Sequence, residues 1–301
     1  MAANLPTVLC LGQATLDQVF QLDSPVVTGH KQSARCRDTV GGGVAANAAV
    51  AVARLGGHAV LVSRIGDDAD GETVLAGLRA DGVDVAAVER VVGGSTPFSA
   101  VLVDPAGERT IVNHTPSDLL AGAPPALPRF DAVLVDGRWP DASALALRIA
   151  RERGLPGVVD ADRPVEPRLL DLASHIVFGE DALRSTTGAV DLADGLRDVA
   201  ERTDAMLAVT AGADGVVWLD HGTVHRLPAF EIAAVDTTGA GDTFHGAFAL
   251  ALAEGADDAS ALRFAAAAAA VKCTRPGARR GIPTRTDVEA WLDRVSGKEQ
   301  P

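Results

Sequence analysis

Residues 236–246 read DTTGAGDTFHG. Gly239 and Gly241, on either side of Ala240, permit a tight turn in which several backbone N–H groups converge. An apolar helical pattern follows over 241–254 and adds the positive end of a helix dipole. This arrangement suits an anion, and it carries Asp242 where a Walker-type loop has Lys-Ser or Lys-Thr. A carboxylate beside an anion hole is the equipment for taking a proton from a hydroxyl that attacks a phosphoryl group. Asp242 is then the general base, while Gly239, Ala240 and Gly241 hold the moving charge. Taken alone, an aspartate at a helix start is equally a helix cap.

Other residues supply chemistry for the two reactants. In VGGGVAANAAVAVARLGG (40–57), Gly42 and Gly43 lead into a helix whose first turn carries Asn47. Glycines there let a ligand touch backbone, and Asn47 offers both a donor and an acceptor to sugar hydroxyls. Asp17, just after the first strand pattern, is placed to hold two hydroxyls. Thr210, Gly212 and Gly215 in AVTAGADGVVWLD mark a strand end and turn suited to a nucleotide platform. Each of these is ordinary in isolation; their order along the chain is what gives them weight.

Three further polar residues stand out. Lys31 is one of only three lysines among 27 basic residues. Asn113 ends a strand pattern, and Arg138 follows the apolar run DAVLVDG, so it emerges at a strand end. A buried arginine is costly without an anion, and its planar fork suits a multi-oxygen one. The competing reading of Arg138 is a packed pair with Trp139.

The elements that must position these residues are legible as patterns. TVLCLG, AVLVSRIG, DAVLVDG, GVVDAD, HIVFG and MLAVTAG read as strands. Helical spacing recurs over 45–55, 71–81, 142–153, 191–202, 241–254, 258–273 and 285–294. Continuous apolar strands alternating with helices predict a parallel sheet covered on both faces, whose ligands bind beyond the strand C-termini. Residues 17–40 and 96–115 break this rhythm with alternating strands and a DPAG turn, predicting a small antiparallel β-flap that lids one end. One domain over 1–301 is expected.

The bulk properties exclude several classes. Net charge is −13 and basic residues do not cluster, which argues against nucleic acid or an anionic membrane as partner. Cys10, Cys36 and Cys273 are too few and too scattered for a disulfide framework or a metal site, and suit a reducing cytoplasm. The longest apolar run, FAAAAAAV, is too short to span a bilayer.

The pairing of GG…N…ARLG near the N-terminus with DTTGAGD near the C-terminus resembles the ribokinase (phosphofructokinase B) family of ATP-dependent sugar kinases. The resemblance implies a three-layer α/β/α sandwich with a β-flap lid and phosphoryl transfer from Mg·ATP to a sugar hydroxyl. By motif it makes Asp242 the base, Gly239 to Gly241 the anion hole, and Asp17, Gly42, Gly43 and Asn47 sugar contacts. Thr210, Gly212 and Gly215 then lie near the nucleotide. Within the family, VGGGVAANAAVAVARLG, DGRWPD, TTGAGDTFHGA and KCTRPGARRGIP are similar to bacterial kinases of 6-deoxy-6-sulfofructose, in which Lys31, Asn113 and Arg138 would surround the sulfonate. The chain departs from the family where an Asn-x-x-Glu pattern helps place Mg²⁺. Gly179 and Ala182 stand at those positions, and Glu180 is the nearest substitute, acting through water. The resemblance also leaves a monovalent cation as an optional cofactor and implies a homodimer through the lid. The alternatives are a fructokinase or sugar-phosphate kinase of the same family, and a non-catalytic sugar- or nucleotide-binding protein.

Overall fold

The structure is a computed structural model that describes residues 5–296. The chain opens with β1 (Thr7–Leu11), β2 (Thr15–Leu22), β3 (Ala34–Gly42) and α1 (Val44–Arg54). It continues through β4 (His58–Gly66), α2 (Ala69–Ala80), β5 (Val88–Val91), β6 (Phe98–Val103) and β7 (Arg109–His114). Strands and helices then alternate as β8 (Ala132–Val135), α3 (Pro140–Arg153), β9 (Gly157–Ala161), α4 (Pro167–Leu172) and β10 (His175–Gly179). Next come α5 (Glu180–Thr187), α6 (Leu192–Ala200), β11 (Met206–Thr210), β12 (Val216–Asp220) and β13 (Thr223–Leu227). Three helices end the described chain: α7 (Ala240–Ala253), α8 (Asp258–Cys273) and α9 (Arg285–Ser296).

The large sheet has the order β13-β12-β11-β10-β9-β8-β1-β4-β5. Every pairing from β11 through β5 is parallel, and β12 and β13 add an antiparallel edge. Residues along β1 alternate between two cores, as a strand buried on both faces requires. Val8 and Cys10 pack with Val50 of α1, Phe248 of α7 and Leu262 of α8. Leu9 and Leu11 pack with Leu147 of α3 and Leu196 of α6. This is the expected helix-covered sheet. Among the described residues no helix is long and apolar enough to cross a membrane.

The flap is a second sheet of order β3-β2-β6-β7. Its β6–β7 hairpin turns on the expected DPAG. Gly107 N–H donates to the Asp104 carbonyl at 3.0 Å, and the Asp104 carboxylate accepts from Ala106 and Glu108 N–H. Two features depart from the sequence reading. The middle pair β2–β6 runs parallel, because these strands come from separate segments that both enter from the large sheet. The β12–β13 hairpin and short β5 also went unforeseen; β13 mixes polar and apolar residues, and β5 is only four residues long.

The parallel strands all point their C-termini to one edge, beneath the flap, and this is where the candidate residues gather. The other positioning device is a close helix contact. A Cβ on Gly246 of α7 would lie 2.5 Å from the Ala48 carbonyl and 3.0 Å from Ala51 Cβ, both on α1. The missing side chain lets the two helices approach. Gly246→Ala should therefore overpack this crossing and lower stability by about 1–3 kcal/mol, read as a lower urea midpoint. An unchanged midpoint would mean the crossing is not tight.

Candidate active site

Between the flap and the strand ends lies a cleft of about 1030 Å³. Its walls include Asp17, Gly43, Asn47, Asn113, Arg138 and Asp242, residues drawn from both ends of the chain. The connection between α1 and α7 makes this possible: Asn47 Nδ2–H donates to Asp242 Oδ2 at 2.7 Å. Behind it, Arg279 Nε–H donates to Asn47 Oδ1 at 3.0 Å, which fixes the amide's orientation. Asn47 thus positions the candidate base directly.

The glycines before α1 serve side chains as much as ligand. A Cβ on Gly42 would lie 2.1 Å from an Asp17 carboxylate oxygen, and one on Gly41 would lie 2.0 Å from an Arg279 guanidinium nitrogen. The Gly42 carbonyl accepts from Arg279 at 3.1 Å. Gly42 is buried and lies outside the cleft wall, so its part is to admit Asp17, whose carboxylate also accepts from Thr15 Oγ1 at 3.0 Å. Asp17 is thereby held at the floor with its second oxygen turned to Gly42.

Asp242 is the third residue of α7, whose cap is Gly239 with φ 74°. The cap's own carbonyl accepts Thr243 N–H and Oγ1–H, so the amides of the first turn face outward. Gly239 and Gly241 N–H have no partner among the described residues, but Ala240 N–H already donates to the Thr237 carbonyl at 3.1 Å. Of the three amides expected to face an anion, that of Ala240 is thus engaged and those of the two glycines are not.

Burial pushes the Asp242 carboxyl up to about 7, the nearby Asp160 charge adds to this, and the Asn47 hydrogen bond and His245 oppose it. A base poised near neutral pH is the favourable case for proton abstraction. His245 lies three residues on, on the same side of α7. Its Nδ1 is 2.8 Å from the Gly241 carbonyl and 3.0 Å from Asp160 Oδ2, and its Nε2 is 3.3 Å from the Val177 carbonyl. All three partners are acceptors, so both ring nitrogens carry hydrogen and the ring is an imidazolium. Burial would lower its pKa, but Asp160 and the Val177 carbonyl hold it at about 9.

Arg138 reaches the cleft, yet its fork is engaged. Nη1 lies 3.1 Å from Asp162 Oδ1, and Nη2 binds the other oxygen of the same carboxylate. Asp136, fully buried after β8, accepts from Gln13 and Arg138 N–H. The competing reading of Arg138, a packed pair with Trp139, is not what the structure shows. Trp139 is buried, donates Nε1–H to the Gly122 carbonyl at 2.8 Å and stacks under Arg64. Arg163, by contrast, faces the cleft with no ion pair among the described residues.

Other expected residues lie apart. Lys31 is exposed in the connection between β2 and β3, outside the cleft wall. Thr210 ends β11, and Gly212 and Gly215 lie in the turn that follows, three strands along the same edge from β8, roughly 14 Å at the usual strand spacing. That separation suits the far end of a nucleotide. Gly215 is needed by the turn itself, since a Cβ there would strike the Leu227 carbonyl at 2.1 Å. Glu180 accepts from Arg184 Nε and Nη2 at 3.0 and 2.8 Å. No group of three or more His, Cys, Asp or Glu fit to cage a metal occurs among the described residues.

Sequence reasoning missed Arg279, Asp160 and His245. His245 stands in the quoted loop itself, and its three-residue spacing from Asp242 was the available signal. Nothing local marks Arg279, which reaches Asn47 across 232 positions.

Asp242→Asn tests the electrostatics. The folded pKa of about 7 exceeds the unfolded value of 3.8, so the folded state holds the extra proton between them and stability falls as pH rises from about 4 to 7. The variant should melt above wild type at pH 8, with the gain vanishing near pH 4, while kcat drops about a hundredfold or more. Equal melting at pH 8 would refute the raised pKa.

The sequence matches the pattern of the family described as pfkB family carbohydrate kinase over residues 6–285. Ribokinase of Bacillus subtilis (strain 168) is 32% identical over 295 residues, covering 95% of this chain and 99% of that protein. Fructokinase of Klebsiella pneumoniae is 32% identical over 284 residues, covering 83% and 91%. Arabidopsis thaliana ribokinase, in a structure complexed with ribose and ATP, has a TM-score of 0.85 at 27% identity, covering 96% of this chain and 98% of that one.

Proposed function

The chain belongs to the pfkB family of carbohydrate kinases, and we propose that the sugar it phosphorylates with ATP is 6-deoxy-6-sulfofructose, taken at its 1-hydroxyl. The observation that carries this reading is the grouping of Asn113, Arg138 and the unpaired Arg163 on the walls of the cleft that holds Asp242. A sulfonate is tetrahedral and singly charged at every relevant pH. Guanidinium and amide donors match its oxygens, whereas a neutral hexose leaves the Arg163 guanidinium without a charged partner.

In this reading Asp17 accepts from the sugar hydroxyls and Asp242 accepts the proton of the 1-hydroxyl. As that oxygen bonds to the γ-phosphorus, the bond to the β-phosphate oxygen breaks and ADP leaves. The Gly239 and Gly241 amides face the negative charge of the transferred group. Thr210, Gly212 and Gly215 line the route to the adenosine end. Lys31 enters this grip only by a rearrangement of the β2–β3 connection or from a second subunit, because it stands outside the cleft wall of its own chain.

A second reading is favoured by one observation: the Arg138 fork is already matched by Asp162. With that charge compensated, the acceptor is a neutral sugar such as ribose or fructose, in line with what the B. subtilis and K. pneumoniae relatives are named for. Comparing kcat/KM for sulfofructose, fructose, fructose 6-phosphate and ribose separates these. Sulfofructose should win by about tenfold or more, and Arg138→Ala should erase that margin without affecting fructose. Ribose or fructose leading the series would refute the sulfonate assignment.

We also propose a homodimer through the flap. Its edge strands β3 and β7 are unpaired, and Ile111 and Val112 on β7 are 52% and 64% exposed. Open edges with apolar side chains need covering. Light scattering should give twice the chain mass, and a Val112→Lys variant should shift it to monomer; a monomeric wild type would exclude the dimer.

A further inference from the structure

Lys272, in the last turn of α8, is fully buried, with 0% of its side chain exposed. None of the chemistry above uses it. Its Nζ donates to the backbone carbonyl of Asp236 at 2.7 Å and lies 3.9 Å from Asp236 Oδ1. Asp236 opens the DTTGAGD loop and ties it to three other segments. Oδ1 accepts from Thr238 N–H, Thr238 Oγ1–H and Arg109 of the flap, at 2.9, 2.7 and 2.9 Å. Oδ2 accepts from Gly277 and Ala278 N–H at 2.9 and 3.2 Å. The C-terminus of α8 grips the same stretch, since the Cys273 carbonyl accepts from Val235 and Asp236 N–H.

Monovalent cations are held by clusters of carbonyl and carboxylate oxygens that replace the hydration shell. All three oxygens that Asp236 could offer to such a cluster are engaged, the carbonyl by an ammonium. A second cation beside Lys272 would meet like charge in a dehydrated space. The optional monovalent ion implied by the sequence resemblance therefore does not fit at this loop. Burying an ammonium is costly, and it is kept here by the Asp236 carboxylate and the negative end of α8.

We propose that Lys272 is a built-in monovalent cation: its ammonium organises the Asp236–Gly241 loop, so nucleotide binding and phosphoryl transfer by this chain need no potassium or sodium ion. It is a positioning residue, acting through the loop and not on the substrate. The proposal rests on the chain being an ATP-dependent kinase and is independent of which sugar it accepts.

The test compares buffers whose only monovalent cation is tetramethylammonium or potassium. Calorimetric affinity for Mg·ADP needs no sugar, so a wrong acceptor assignment cannot imitate failure. For the wild type, affinity and kcat should agree within about threefold between the two buffers; a larger rise with potassium overturns the proposal. Lys272→Met, checked for folding by circular dichroism, should lose about tenfold or more in kcat in tetramethylammonium. Ammonium or potassium should restore part of that loss, which a purely structural lysine would not allow. A folded variant that is fully active without either ion, or unrescued by both, overturns it. Should the variant not fold, the wild-type comparison decides alone.

Discussion

A buried carboxylate, that of the proposed base Asp242, is the constraint on which this molecule turns. Dehydration pushes the Asp242 carboxyl towards its protonated form. Two neighbours counter that: Asn47 donates a hydrogen bond, and His245 places a positive ring on the same side of α7. Each of these is itself held. Arg279 orients Asn47, and Asp160 keeps His245 charged. The outcome is a chain of alternating charges and dipoles in which this carboxyl titrates near neutrality.

The backbone architecture follows from delivering those partners. Asp160 comes from β9, His245 and Asp242 from α7, Asn47 from α1, and Arg279 from the turn after α8. A parallel sheet brings strand ends to one edge, and the bare Gly246 brings α7 against α1. The flap is clasped to this assembly by ion pairs from both its ends. Arg109 of β7 meets Asp236, and Asp38 of β3 takes both Nη groups of Arg280. The Arg280 pair is solvent-exposed and adds little stability, but the two together register the flap over the cleft.

Much of this was legible along the chain. The strands from TVLCLG to MLAVTAG, the long helices and the DPAG hairpin all carry short-range periodicity, because burial on a sheet or helix face repeats every two or 3.6 residues. The loop geometry was legible too, since the Gly239 turn, the helix start and Asp242 are contiguous. Where local signals are weak, legibility ended: β5 spans four residues, and β13 carries no clear alternation. The glycines at 41–43 were visible as glycines, but the side chains they admit were not.

By itself, then, the amino-acid sequence determined the kind of chemistry and the scaffold, since both are written in residues close to one another. Partnership was decided only by tertiary structure. That Asp162 occupies the Arg138 fork, that Ala240 N–H is taken by Thr237, that Arg279 reaches Asn47 and that Lys272 serves Asp236 are facts about atoms a few ångströms apart. Hydrogen bonds and charge pairs act over such distances and are indifferent to separation along the chain. A residue's type announces what it can donate or accept, and only the folded chain says to whom.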